Sequence, residues 1–233
     1  MKILELFSGT GSVGKVFREN GHHVISLDLK GADINCNILD WNYKTFNENE
    51  EHIECFDYIH ASPPCDTFSI CRKSWIGKKL KAHPDEVFTK ELLIKDQEEI
   101  GVPILNKTLE IIKYFNPKYF TIENPQTGDM KNYITDIPFT DVDYCMYGFP
   151  YKKRTRIWNN FDFKGKLCNK ECGYFVDGRH ISNCGHSNKK YTSKINNFTN
   201  TTLKERYRIP PELINSIMNH LNNQEHEELA DHH

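Results

Sequence analysis

The stretch Lys2–Asp28, "KILELFSGTGSVGKVFRENGHHVISLD", constrains the fold more than any other part of the chain. An apolar run ends in Ser-Gly, a glycine turn follows, and Val13, Val16 and Phe17 then recur at helical spacing before a second apolar run that ends in an acid. That is a βαβ unit of about thirty residues. Parallel strands cannot be joined by a tight hairpin, so such a unit commits the chain to a parallel sheet covered by helices. Later segments continue the alternation. Residues 56–62 and 118–124 read as buried strands, 102–117 as an amphipathic helix, and 141–148 with 153–161 as an antiparallel pair at one edge. The expected fold class is α/β, a mostly parallel sheet with helices on both faces. The regular alternation fails beyond residue 160, where Cys, Gly, Asn and Lys accumulate. The expected organisation is therefore an α/β domain over 1–160, a small irregular lobe over 161–202, a helical segment over 203–221 returning to the first domain, and a frayed charged tail over 222–233.

Charge and composition exclude some classes. The chain has 233 residues, 30 Lys plus Arg against 32 Asp plus Glu, and a formal net charge of −2, so no global basic field attracts a polyanion. Any such partner needs a local patch. With 38% hydrophobic residues but no continuous apolar run of membrane-spanning length and no leader-like start, a soluble intracellular protein of cytoplasm or nucleus is expected. The eight cysteines are expected to be reduced, because a chain of this size does not depend on disulfides for its core.

Residues capable of chemistry fall at strand ends. The turn Gly9–Gly11 opens a helix, where backbone N–H groups and the helix dipole favour an anion or a cofactor. Asp28, ending the next strand, is placed for ribose hydroxyls. A dinucleotide and S-adenosylmethionine suit this pair equally, and a purely structural turn is the plain alternative. Cys65 follows Pro63 and Pro64 just beyond a strand, its backbone stiffened before the sulfur. A buried structural cysteine is the alternative there, and Cys36, Cys55, Cys71 and Cys145 are assigned to that class. Glu123 ends another strand. Arg154 and Arg156, two apart on a strand, project to one face and can serve one site or simply a solvated edge. In the lobe, Cys168 and Cys172 with Cys184 and His186, or His180 in place of His186, offer soft ligands for a structural zinc ion.

The ordered set "LELFSGTGSVG", "ASPPCDTFS", "IENP" and "YGFPYKKRTRIW" resembles the motif series of the DNA cytosine-5 methyltransferases, in the compact form found in phages and large viruses. The resemblance covers roughly Lys2 to Trp158. It implies the Rossmann-like fold of S-adenosylmethionine-dependent methyltransferases, with that cofactor held by Phe7, Ser8, Gly9, Thr10, Gly11 and Ser12, by Asp28 and Leu29, by Asn37 and Ile38 (Asp40 being the alternative), and by Pro63. It further implies that Cys65 adds to C6 of a cytosine while Glu123 protonates N3 and Asn124 positions Glu123. Arg154 or Arg156 would hold the thiolate and the base O2, and guanidinium neighbours would lower the thiol pKa.

Because C6 is inaccessible in a duplex, the partner implied is double-stranded DNA with the target cytosine flipped out. Pro64, Ser69, Arg72 and Lys73 would contact it, residues 70–90 forming a mobile loop near phosphates. The chain is expected to act as a monomer. It departs from the family in having Lys152 where a Gln is usual, an extra residue before the Arg pair, and "RYRIPPELINSI" (206–217) in place of the usual closing segment. A catalytically inactive nucleic-acid-binding relative and an RNA cytosine-5 methyltransferase are the alternatives.

Overall fold

A computed structural model describes residues 1–81, 83–183, 186–187 and 202–230. Its centre is a seven-stranded sheet. In chain order the strands are β1 (Lys2–Leu6), β2 (His23–Asp28), β3 (Ile34–Asn35), β4 (Tyr58–Ala61), β5 (Tyr119–Pro125), β6 (Phe139–Asp143) and β7 (Arg154–Asn159). They lie side by side as β6-β7-β5-β4-β1-β2-β3. All neighbours pair in parallel except at β7, which runs antiparallel to both β6 and β5. Strand order reverses direction at β1, so the connections leaving the carboxyl ends of β1 and β4 pass to opposite faces of the sheet and leave a crevice between them, the place where open α/β sheets bind ligands.

Alternation along the strands fills the two faces. Leu4, Leu6, Ile25, Leu27, Ile59, Ala61 and Ile122 pack with Leu105, Ile111, Ile112 and Phe115 of helix α3 (Val102–Phe115). Ile3, Val24, Tyr58, Tyr119 and Ile157 point the other way, against Val13, Val16 and Phe17 of α1 (Ser12–Glu19) and Leu213, Ile214, Ile217 and Leu221 of α4 (Pro211–Ala230). The mostly parallel sheet with helices on both faces is thus present. No helix among the described residues is long and apolar enough to cross a membrane.

The structure differs from the expectations at specific places. Residues 71–88 are not a bare loop: they hold a 3-10 turn (Ile70–Trp75) and a hairpin (Lys79–Leu80 with His83–Val87) and lead into α2 (Lys90–Asp96). Phe88, fully buried, anchors that region. The last helix continues to Ala230 instead of fraying after 221. The segment "NNQEHEELA" contains no glycine or proline and has helix formers in its second half, so propensity carries the helix on. The expected strand over 141–148 splits, its second half forming a 3-10 turn (Tyr144–Tyr147).

Candidate active site

The turn after β1 is built by left-handed backbone at Phe7 (φ 61°), Gly9 (φ 52°) and Gly11 (φ 67°). Glycine adopts such angles freely, whereas Phe7 is held there by its surroundings. The Gly9 amide donates to Asp28 Oδ2 at 2.8 Å and the Leu29 amide to Oδ1 at 2.7 Å, so Asp28 locks the turn to the end of β2. Beside this turn opens a cavity of about 810 Å³, within the range of small-molecule sites. Phe7, Ser8, Gly9, Thr10, Ser12, Asp28, Leu29, Asn37, Ile38 and Pro63 all line it; Gly11 and Asp40 do not. Tyr207 and Ile209 close it from the C-terminal segment, where the Ile209 amide donates to Ser12 Oγ at 3.3 Å.

Sequence reasoning missed Glu5. It lies on the cavity wall, 2% exposed, with Oε2 turned onto Gly14. Burial raises its pKa to about 7, against the opposing pull of the Val13 and Gly14 amides and of Arg18. Gly14 leaves room for it, since a β-carbon there would crowd Oε2 and force the carboxyl to shift. The signal was available: an acid inside the apolar run "KILELF" is costly unless it serves a site.

Cys65, Pro64, Glu123 and Asn124 line the other end of the same cavity. Asn124 Nδ2 donates to the Pro63 carbonyl at 2.8 Å in a buried contact, so β5 holds the Pro-Pro-Cys segment directly. Beneath, His60 bonds Thr121 Oγ1 at 2.8 Å and Ser62 Oγ at 2.9 Å, and burial depresses its pKa to about 3, keeping the ring neutral. Glu123 accepts a 3.0 Å hydrogen bond from the Tyr144 hydroxyl and has Lys153 Nζ at 3.9 Å. Neither Tyr144 nor Lys153 was singled out from sequence. Burial and then the Glu123 charge push the Tyr144 hydroxyl well above its ordinary pKa, which keeps it a donor.

The thiol of Cys65 corrects an expectation. Its pKa is raised to about 11, first by burial and then by the charges of Glu123 and Asp66, with the Lys153 charge opposing them. The arginines do not help because they face elsewhere. Arg154 forms two hydrogen bonds to Asp143 at 3.0 and 2.7 Å, and Arg156 two to Asp141 at 2.9 and 3.1 Å. The register sets these partners, Arg154 pairing opposite Asp143 and Arg156 opposite Asp141 across β6 and β7. Both side chains do share one face, as their spacing requires, but neither lines the cavity.

The other substrate-side residues also have protein partners. Arg72 is 8% exposed, ion-paired with Asp96 and stacked on Phe88 at 5.0 Å. Lys73 reaches Asp129 at 2.9 Å, and Ser69 caps the following turn by accepting from the Cys71 amide at 3.2 Å. In the lobe, Cys168, Cys172 and His180 come together, joined by Cys145, which sequence reading had left in the structural class. Cys184 lies outside the described residues, and His186 is described only through its backbone in the strand His186–Ser187.

No family model matches the chain. A protein of Frog virus 3 (isolate Goorha) named "Probable DNA (cytosine-5)-methyltransferase" is 37% identical over 234 residues, covering 94% of this chain and 99% of its own. Among solved structures, the methyltransferase EhMeth of Entamoeba histolytica superposes with a TM-score of 0.54 at 12% identity, over 96% of this chain and 98% of that one, which supports the fold. The Dnmt2 methyltransferase of S. pombe gives a TM-score of 0.40 at 13% identity over 72% of this chain, which spans about half (51%) of that protein. Identity of this extent along nearly the whole length places the chain in the DNA (cytosine-5)-methyltransferase family.

Proposed function

We propose that this protein transfers a methyl group from S-adenosylmethionine to C5 of a cytosine flipped out of double-stranded DNA, through a covalent bond from Cys65. The observation that carries the reading is one cavity with a glycine turn and Asp28 at one end and Cys65 with Glu123 at the other. The residues present fit the cofactor: the Glu5 and Asp28 carboxyl groups on the cavity wall supply acceptors for a cationic amino acid and a ribose, and the apolar walls of Phe7, Leu29 and Ile38 suit a purine. When bound there, S-adenosylmethionine supplies an electrophilic methyl group.

The chain's own groups account for the remainder. Cytosine C5 is a weak nucleophile until C6 is attacked. In the addition the Cys65 sulfur bonds to C6 and N3 takes a proton, while the thiol gives one up, so the pocket carries no net charge change. Glu123 is the group placed to take the thiol proton and supply N3 with one, held by Tyr144 and Lys153. After methylation, loss of the C5 proton to a base or water re-forms the C5–C6 double bond and expels the Cys65 sulfur, and the N3 proton returns through Glu123 to that sulfur. A raised thiol pKa in the free protein fits a nucleophile that ionises only as its proton is moved. Arg154 and Arg156 reach the base only if they leave their carboxylates, and Lys153 is the cation 3.9 Å from Glu123.

Methyl transfer from labelled S-adenosylmethionine to double-stranded DNA and to tRNA, assayed side by side, tests the reading. Label on DNA cytosine C5 is expected. Label on tRNA alone, or none on either with cofactor bound, overturns it.

A further inference from the structure

The geometry points to a structural zinc site formed by Cys145, Cys168, Cys172 and His180. Their ligand atoms all lie within 4.8 Å of one another. His180 Nε2 stands 3.8, 3.3 and 3.6 Å from the sulfurs of Cys145, Cys168 and Cys172. A tetrahedral ion with Zn–S near 2.3 Å and Zn–N near 2.0 Å requires sulfur-to-nitrogen edges of about 3.5 Å. The observed edges bracket that value.

The surroundings are those of a built metal site. Lys170, in left-handed backbone at φ 78°, turns its amide onto the Cys168 sulfur at 3.3 Å, and Gly173 at φ 79° follows Cys172. This tight turn between two cysteines lets an amide stabilise a thiolate, as outer-shell donors do. The Cys168 amide donates to Asp143 Oδ2 at 2.9 Å, which fixes the turn to the end of β6. Three thiols and an imidazole select zinc over magnesium or calcium, which prefer oxygen donors. A single disulfide would leave the third sulfur and the ring nitrogen unexplained. With four protein ligands the site is closed, so its role is structural.

The lobe needs such a staple. Its described strands, Phe175–Val176, Arg179–His180, Ser182–Asn183 and His186–Ser187, are only two residues each, too short to hold a fold by themselves. Cys145 belongs to the turn after β6, whereas the other ligands belong to the lobe, so the ion ties the lobe to the sheet. Two residues before Cys145, Asp143 holds Arg154, and the Lys152 amide bonds the Ser182 carbonyl at 3.1 Å. Loss of the ion would therefore loosen the segment that presents Lys153.

Elemental analysis of the purified full-length chain tests this, combined with alkylation and peptide mapping before and after chelation. One zinc per chain is expected, with Cys145, Cys168 and Cys172 protected until the metal is removed and the exposed Cys55 and Cys71 modified throughout. Metal-free protein from zinc-supplemented growth, or bound zinc whose removal leaves the three cysteines equally protected, overturns the site. Cys145→Ser should lose the ion and Cys184→Ser keep it, and the reverse pattern overturns the ligand set. If Cys145→Ser does not fold, cobalt substitution of the wild-type chain decides. Intense thiolate-to-cobalt absorption supports the site, and a weak octahedral spectrum contradicts it.

Discussion

The Tyr144 hydroxyl donates to Glu123 Oε1 at 3.0 Å, joining the turn after β6 to the acid at the end of β5. Both groups are buried, so the bond orients Glu123 without competition from water. Tyr144→Phe should lower kcat by roughly tenfold to a hundredfold, the range for losing a hydrogen bond to an acidic group. Binding of S-adenosylhomocysteine by calorimetry should be unchanged. A loss confined to cofactor affinity would show that Tyr144 does not act through Glu123.

Lys153 and Arg154 are adjacent yet have different partners, and their variants should separate. Lys153→Met removes the cation 3.9 Å from Glu123 and should reduce turnover with little change in thermal stability. Arg154→Met removes two hydrogen bonds from the fully buried Asp143, leaving it Lys152 at 3.8 Å and the Cys168 amide, and should cost about 1–3 kcal/mol by denaturant unfolding. Equal stability losses in both variants would contradict the assignment.

Cys65 in the free protein should alkylate slowly at neutral pH, its rate rising toward about pH 11, while exposed Cys55 and Cys71 react first. Because the Glu123 charge raises the thiol pKa, Glu123→Gln should speed Cys65 alkylation at pH 8 even as it slows methylation. Mass spectrometry of the alkylated peptides reads both.

Glu5 carries a pH dependence of stability. Its folded pKa of about 7 exceeds the ordinary 4.5, so its protonated form favours the folded state. The contribution is complete below pH 4.5 and is lost as pH rises through about 7, to the extent of about 3 kcal/mol. Thermal melts of the cofactor-free protein should show Glu5→Gln more stable than wild type at pH 8, with that advantage gone near pH 4.5. An advantage independent of pH would contradict the shift.

Much of this was legible in residues 2–125, because strand, glycine turn, helix and acid are local patterns and Cys65 and Glu123 stand at strand ends. Which face Arg154 and Arg156 take was not legible from β7 alone. Spacing puts them on one face, and only pairing with β6 reveals that "DVD" (141–143) sits opposite "RTR" (154–156) in register. The acids two apart were the readable hint. Cys145 was invisible for another reason: it lies 23 residues before Cys168, and only the return of the lobe onto β6 unites them. Residues 71–88 looked like a loop because their ordering depends on Phe88 and the Arg72–Asp96 pair, contacts that no periodicity encodes.

The most direct measurement of the central claim is adduct formation with duplex DNA carrying 5-fluorocytosine, in the presence of S-adenosylmethionine. Fluorine at C5 cannot depart as a proton does, so the Cys65–C6 bond should persist through denaturing electrophoresis, and peptide mapping should place the nucleotide on Cys65. Cys65→Ser should abolish the adduct and Cys71→Ser should retain it. Absence of any adduct from protein that methylates ordinary DNA, or an adduct mapped to another cysteine, would contradict the account.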